Sequence, residues 1–354
     1  MNPELGIIEG FYGKPWSWEA RAETVTYLAP YGYRFYLYAP KFDPYLRRRW
    51  QEAHPDNLVE RLRTLAAHCR ESGVRFGVGL TPYELFNHFD DASREALGRK
   101  LEFFDDLGIE DLAILFDDMR GDVPDLAKNQ VEIVEWAAAR TKASRVIMCP
   151  SYYSDDPILD RVFGIRPENY VAELGKSLDA EIEIFWTGEE VISRQFSPGH
   201  LDRVTEELGR KPFLWDNYPV NDGQRMSQYL HIRGFTGRPA PNSSRIAAHG
   251  VNPALQPTLN RIPCTTLSDS YRQGDKYEYS ESFRHACHDV LGIDVGELVR
   301  QDLLTLQDIG LDRLAEKEQV LRERYGPFDH PGAKEIIAWL DGDYRITDEI
   351  VQTQ

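Results

Sequence analysis

The run Leu112-Ala113-Ile114-Leu115-Phe116-Asp117-Asp118 decides the fold, because consecutive apolar residues lead straight into two acids. An apolar run of this length, without alternation, is typical of a strand buried on both faces of a parallel sheet. Polar groups at the carboxyl end of such a strand lie where ligands bind in α/β folds. Two like charges this close resist joint ionisation. The pair is therefore a candidate for catalysis, although one aspartate could instead cap the next segment while the other faces water.

Similar segments recur along the chain, and their predicted strand ends lie near positions 10, 40, 80, 117, 150, 187, 216 and 252. The mean step of about 35 residues suits one strand and one helix of a (β/α)8 barrel. A doubly wound open sheet would more often place a glycine-rich phosphate loop after its first strand, and Gly10-Phe11-Tyr12-Gly13 is not such a loop. We predict an α/β fold, a (β/α)8 TIM barrel over residues 1–275. We predict closing helices and a small C-terminal helical region for residues 276–354.

Some local predictions are specific enough to be tested one by one. Among the barrel elements, we predict a helix over residues 167–178 that a proline opens, and a last strand over 244–249. In the tail we predict helices over 279–291, 295–325 and 333–340.

Composition excludes some classes of function. Hydrophobic residues at 42% of the 354 suffice for a large core, and the net charge of −17 argues against nucleic acid and anionic membranes as partners. The four cysteines have neither CxxC nor zinc spacing, which favours reduced, buried thiols. No signal peptide or membrane span is recognised, so we expect a cytoplasmic protein. The helical tail could serve as a homodimer contact, although no residue in it requires one.

The residues at the predicted strand ends fit a sugar. Two acids, neutral hydrogen-bonding groups, one lysine and aromatic walls suit hydroxyl groups and a flat sugar face, with no cofactor or metal. Taken singly, most have a structural explanation: Lys41 could offset Asp43, Trp215 could be core, and Asp222 could form a turn. Their arrival at one face of a barrel favours function. The candidates are Gly10, Lys41, Thr187, Trp215, Asn217, Asp222, Asn252 and Tyr153.

The chain resembles the catalytic domain of glycoside hydrolase family 84, which holds β-N-acetylglucosaminidases and O-GlcNAcases. The resemblance runs in family order from about residue 6 to about residue 290. The motifs that carry it are Gly6-Ile7-Ile8-Glu9-Gly10-Phe11-Tyr12-Gly13-Lys14-Pro15-Trp16, Tyr36-Leu37-Tyr38-Ala39-Pro40-Lys41-Phe42-Asp43-Pro44-Tyr45, Leu115-Phe116-Asp117-Asp118, Trp186-Thr187-Gly188, Trp215-Asp216-Asn217-Tyr218-Pro219-Val220-Asn221-Asp222 and Asn252-Pro253.

The resemblance implies a retaining, substrate-assisted mechanism through an oxazoline. Asp117 would orient the 2-acetamido group, and Asp118 would act as general acid and then general base. Asp222 would bind the 4- and 6-hydroxyls of the sugar, and the remaining ring hydroxyls would meet Gly10, Lys41 and Asn252. Trp215 and Thr187 would wall the pocket of the acetamido methyl group. Asn217 would bond to the pyranoside and acetamido region, and Tyr153 would reach the acetamido or anomeric region.

The assignments of two tyrosines from the resemblance are less direct than the others. Where the family often has Thr-Glu-Tyr after Cys-Pro, this chain has Ser151-Tyr152-Tyr153, so Tyr153 takes the role by register and Tyr152 is the fallback. Tyr271 is a candidate for the aglycone side.

The expected activity is exo-hydrolysis of terminal β-linked GlcNAc, of the β-N-acetylhexosaminidase or protein O-GlcNAcase type, on a glycoprotein or glycan. A hyaluronidase-like endo-acting enzyme of the same family is an alternative. Two others are a metal-dependent lyase or hydrolase that uses Asp117, Asp118 and Asp122, and a sugar-binding module without catalysis.

Overall fold

A closed parallel barrel forms the centre of the molecule. The computed structural model describes residues 2–347, and within this range eight strands pair in chain order, β1 with β2 onward until β8 returns to β1. The predicted α/β barrel is therefore confirmed, and the open sheet is excluded. The strands are β1 Glu4–Glu9, β2 Tyr33–Tyr38, β3 Arg75–Leu80, β4 Asp111–Leu115, β5 Arg145–Cys149, β6 Glu183–Trp186, β7 Phe213–Asp216 and β8 Ala248–Val251.

Helices surround the barrel and continue into the tail. They are α1 Trp18–Leu28, α2 Asp56–Glu71, α3 Asp91–Leu107, α4 Leu126–Ala138, α5 Ile158–Phe163, α6 Tyr170–Ser177, α7 Pro198–Leu208, α8 Arg261–Gln273, α9 Tyr279–Leu304, α10 Glu316–Tyr325 and α11 Pro331–Leu340. Helix α9 bends at Gly292, whose φ of 72° is left-handed. Among the described residues, no helix combines the length and apolarity that a membrane crossing needs.

The two ends of the barrel differ in chemistry. At the amino ends of the strands, Arg75 and Arg145 each bind both Glu4 and Asp111, with N–O distances between 2.6 and 3.1 Å. The interior above this network is packed with aromatic rings, such as Phe213 against Phe185 at 4.7 Å between centroids. One end is thus closed by ion pairs, which leaves the carboxyl end for function.

Three of the predicted elements are wrong in detail. The helix predicted over 167–178 begins only at Tyr170, because Asn169 has a left-handed φ of 60°, and α5 precedes it. The helix predicted over 295–325 is broken, because Gly310 and Ala315 have positive φ values of 85° and 48°. The last strand lies at 248–251 rather than 244–249, since a 3₁₀ turn with a proline in its first turn occupies Ala240–Ser244.

The domain boundary at residue 275 stays a prediction. It falls in the 3₁₀ turn Gly274–Lys276, and α8 and α9 pack against each other across it. Ser282 of α9 donates a hydrogen bond of 2.7 Å to Asp269 of α8. Residues 1 and 348–354 of the two predicted regions lie outside the described residues.

Candidate active site

A cavity opens at the carboxyl ends of the strands. It holds about 460 Å³ of empty space, open solvent at its mouth included. The ten residues assigned from the sequence to catalysis and sugar binding all line it, together with three that were not predicted. The lining residues are Gly10, Tyr12, Lys41, Asp117, Asp118, Cys149, Tyr153, Thr187, Val191, Trp215, Asn217, Asp222 and Asn252.

The two aspartates follow β4 and share this cavity. The strand pairing extends to Phe116, whose N–H donates to the carbonyl of Cys149 at 2.9 Å. Successive residues of a strand point to opposite faces, so an extended chain would separate the two carboxylates. Asp118 instead has a left-handed φ of 56°, and both aspartates line the cavity.

Asp117 is held by one cation. Its Oδ2 accepts from Nζ of Lys41, and the two side chains are buried, with 8% and 2% exposure. Lys41 thus pairs with Asp117 rather than with Asp43, which accepts from Tyr38 and Tyr45. The second oxygen of Asp117, Oδ1, is buried and has no hydrogen-bond partner among the described residues. Such an oxygen costs about 1–3 kcal/mol.

Asp118 is surrounded by hydroxyl groups. Tyr12 donates to its Oδ2 at 2.8 Å and Tyr153 to its Oδ1 at 3.3 Å. Burial, reinforced by the charge of Asp118, raises the pKa of both tyrosines well above the ordinary value, so both hydroxyls keep their protons and act as donors. Arg47 donates to the backbone carbonyl of Asp118 at 3.1 Å, which fixes the turn.

A chain of amides and an indole forms the opposite wall. Oδ1 of Asn217 accepts from Nε1 of Trp215 at 3.0 Å and from Nδ2 of Asn252 at 2.9 Å. Oδ1 of Asn252 accepts from the N–H of Gly10 at 3.3 Å. A Cβ on Gly10 would lie 2.3 Å from Cζ2 of Trp215, so only glycine allows the indole this close. The ends of β1, β7 and β8 are therefore one hydrogen-bonded unit.

A buried ion pair behind this wall anchors β7. Asp216, the last residue of β7, lies between the cavity residues Trp215 and Asn217. It accepts from Arg238 at 2.7 and 2.8 Å and contacts Nε2 of His249 at 2.9 Å. Burial alone would raise the pKa of Asp216, but Arg238 and His249 outweigh it and lower it. Arg238 also donates to the carbonyls of Ser193 and Arg194, which ties β7 to the loop after β6.

Two of the tyrosine predictions are resolved by position. Tyr153 lines the cavity, whereas the fallback Tyr152 lies outside it and donates to the carbonyl of Gly164 at 2.6 Å. The aglycone candidate Tyr271 is not at the cavity, because it is buried in α8 and its hydroxyl contacts Nδ1 of His249 at 2.9 Å.

The residues that sequence reasoning missed are Tyr12, Cys149 and Val191. Tyr12 lies in the motif of residues 6–16, two positions after Gly10 at the end of the first strand. Its place at a strand end was a signal that could have identified it. Cys149 and Val191 carry no chemical signal in the sequence. All four cysteines are free and buried.

The metal-site alternative lacks ligands in the structure. Asp122 pairs with Arg120 and is not among the cavity residues. Among residues 2–347, no cluster of three or more His, Cys, Asp or Glu side chains could hold a metal ion. The three aspartates of that alternative therefore do not form one site.

Comparison with known proteins gives the family. The model of the β-N-acetylglucosaminidase (NAGidase) family matches residues 5–308. The chain belongs to this family. The resemblance that the sequence motifs indicated is thereby confirmed.

The relatives of this chain carry related names. Protein O-GlcNAcase of Mus musculus and that of Rattus norvegicus are each 28% identical to it over 276 residues, which is 75% of this chain. The chain spans about 30% of the length of these curated relatives. A solved mutant of the Thermobaculum terrenum O-GlcNAc hydrolase is 26% identical with a TM-score of 0.79, and the match covers 95% of this chain and 80% of that one.

Proposed function

We propose that this protein is a retaining exo-β-N-acetylglucosaminidase that hydrolyses terminal β-linked GlcNAc by substrate-assisted catalysis. One observation carries the proposal: Asp117, fixed by Lys41, keeps a buried oxygen without a donor, directly beside an aspartate that three neighbouring groups hold. A substrate N–H at that oxygen would offset the cost of leaving it unpaired.

In the first step the 2-acetamido oxygen attacks the anomeric carbon as the glycosidic bond breaks. Asp117 accepts the acetamido N–H, whose hydrogen bond strengthens as positive charge develops on the forming oxazoline. Asp118 gives its proton to the departing oxygen. The side chain of Lys41 holds Asp117 in place through this step.

In the second step water opens the oxazoline at the anomeric carbon. Asp118, now a carboxylate, takes a proton from that water, and the acetamido group is restored with retention of configuration. Tyr12 and Tyr153 stabilise the carboxylate form of Asp118 between the steps, because each donates a hydrogen bond to it.

The remaining lining residues would bind and orient the sugar. Thr187, Trp215 and Asn217 would enclose the acetamido group, and Gly10, Asp222 and Asn252 would hold ring hydroxyls. A snug pocket matters because the acetamide must be held in attack geometry.

The names of the relatives support a GlcNAc group linked to protein as the substrate. The buried free cysteines support the reducing compartment predicted from the sequence, such as the cytoplasm. A homodimer through the tail stays a prediction.

A panel of aryl glycosides that differ only at C2 tests the mechanism. The N-acetyl substrate should be cleaved and the 2-hydroxyl substrate should not. The N-trifluoroacetyl substrate should react far more slowly, because fluorine withdraws electrons and lowers the nucleophilicity of the attacking amide oxygen. A thiazoline analogue of the oxazoline should inhibit tightly. Equal rates for the N-acetyl and trifluoroacetyl substrates would contradict substrate assistance.

The acid role of Asp118 is tested by the leaving group. Asp118→Asn should lower turnover by roughly 10²- to 10⁴-fold on glycosides with poor leaving groups and much less on aryl glycosides with good ones. Asp122→Asn makes the same chemical change outside the cavity and serves as the matched control. An equal loss on both substrate types would show that Asp118 is not the proton donor.

A further inference from the structure

The last described residues of the chain pack against two loops that also carry residues of the candidate active site. Residues 343–347, which we call the strap, follow α11 and contact the loop after β1. A Cβ on Gly13 would lie 2.8 Å from Cδ1 of Ile346, so this side chain packs directly on the glycine backbone. Nζ of Lys14 lies 3.2 Å from Oδ2 of Asp343 and 4.9 Å from the centre of the Tyr344 ring.

The strap also contacts the long loop after β7. The N–H of Ile346 donates to Oγ of Ser227 at 3.2 Å, and the Gln224 side chain donates to the carbonyl of Thr347 at 2.6 Å. Ile346 and Ser227 are buried, at 7% and 1% exposure. The strap therefore joins two loops that come from distant parts of the chain.

These two loops meet again at the cavity. The N–H of Tyr12 donates to Oδ2 of Asp222 at 2.8 Å, and both residues line the cavity. The neighbouring Asn221 accepts from the N–H of Leu255 at 2.9 Å, which adds the loop after β8. The position of Asp222 thus depends on how the loops are held together.

The tail holds the same β7 loop at a second place. Oε1 of Gln307 accepts from the N–H groups of Ile232 and Arg233 at 2.8 and 2.9 Å. The N–H of Leu230 donates to the carbonyl of Leu306 at 3.0 Å. The tail therefore contacts the β7 loop at two places, and the strap makes the contact that is closer to Asp222 in the sequence, at Gln224 and Ser227.

We propose that the strap positions Asp222 for recognition of the sugar, by locking the loops after β1 and β7 together. The inference rests on the proposed function, in which Asp222 binds hydroxyls on the side of the ring that includes C4. It makes the C-terminal tail part of the specificity of the site rather than a separate appendage. Ile346 is a positioning residue, because it touches the loops and not the substrate.

The test compares two aryl glycosides that are epimers at C4, the GlcNAc and GalNAc forms. Ile346→Ala should lower the ratio of their kcat/KM values about two- to tenfold, the worth of one hydrogen bond. Ile346→Val removes only the Cδ1 methyl and keeps Cγ1, which lies 3.3 Å from the Cβ position of Gly13, so its ratio should lie between those of Ile346→Ala and the wild type. Asp222→Asn provides the benchmark for lost discrimination.

Ile337→Ala is the matched control. It deletes the same side chain from α11, but Ile337 lines a groove against α10 and not the strap contacts. Gln224→Glu is a milder second variant that keeps the side-chain shape and removes its donor to Thr347, so it tests the strap even if Ile346→Ala does not fold.

The outcomes separate the two proposals. If the wild type cleaves neither glycoside, the proposed function fails. If the wild type discriminates and Ile346→Ala and Gln224→Glu keep its ratio, or if Ile337→Ala loses it equally, the strap has only a structural role and the inference is overturned.

Discussion

The contact between Gly10 and Trp215 offers the sharpest test of the site geometry. In Gly10→Ala the new Cβ would lie 2.3 Å from Cζ2 and 2.7 Å from Cη2 of the indole. Carbon atoms in contact prefer a separation of 3.5–4.0 Å, so the ring has to move by about 1.2 Å or more. The φ of Gly10 is not left-handed, so the backbone itself accepts alanine.

The expected loss of activity follows from this displacement of the Trp215 ring. A retreating indole pulls Nε1 away from Oδ1 of Asn217, now 3.0 Å away, and Asn217 in turn holds Asn252. A misplacement of about 1 Å costs roughly 10²-fold in rate when attack geometry matters. We therefore expect kcat/KM for an aryl β-N-acetylglucosaminide to fall about 100-fold, which corresponds to about 2.7 kcal/mol.

The assay is steady-state kinetics beside a urea unfolding curve. Gly199→Ala in α7 is the control, because outside the backbone of its own helix the new Cβ would meet no atom of residues 2–347 within 4 Å. It should leave activity unchanged and stabilise the fold by about 0.4–1 kcal/mol. In the Trp215→Phe background, where the ring is smaller, adding Gly10→Ala should cost much less. A single variant within about threefold of wild type would refute the reasoning, since that is under 1 kcal/mol.

Three further predictions concern hydrogen bonds and charge. Tyr12→Phe removes the 2.8 Å bond to Asp118, and kcat/KM should fall roughly ten- to a hundredfold, the worth of a hydrogen bond to a charged group; an unchanged value would leave Tyr12 without a role in catalysis. Arg238→Met leaves the buried Asp216 without its cation, and urea unfolding should show a loss of about 3–5 kcal/mol; a loss below 1 kcal/mol would contradict the anchoring role. Burial raises the pKa of Glu335 from 4.5 to about 6, so between these values the folded state binds more protons than the unfolded state. Its ionisation therefore costs stability as the pH rises from 4.5 through 6, and the free energy of unfolding of the wild type relative to Glu335→Gln should be about 1.5 kcal/mol higher at pH 4.5 than at pH 7. A pH-independent difference, measured by urea unfolding, would contradict the shift.

The barrel could be predicted because its strands are buried on both faces. The predicted ends near 80, 150 and 216 lie within one residue of the observed Leu80, Cys149 and Asp216. A continuous apolar run that stops at a polar residue is a local signal, so one sequence suffices to find it. Since a barrel sends all those ends to one face, the candidate residues could be grouped before any coordinates existed.

Other parts depend on contacts between distant residues and could not be predicted. Lys41 forms its ion pair with Asp117, 76 positions away, although Asp43 is its near neighbour in sequence. The break in the predicted helix 295–325 coincides with the contact of Gln307 with backbone groups of the β7 loop. Apolar periodicity carries no information about either pairing.

The turn at Asp118 supports the proposed division of roles between the two aspartates. A left-handed φ in a residue other than glycine costs on the order of 1 kcal/mol or more, although aspartate tolerates it better than most. An extended Asp118 would point away from Asp117 and avoid both that cost and the proximity of two carboxylates. The chain instead keeps the turn, fixes it through Arg47, and supplies Asp118 with two tyrosine donors. A helix cap needs only one acid and none of these hydrogen-bond donors. A reaction in which one aspartate orients the substrate and its neighbour transfers the proton needs both acids in one cavity.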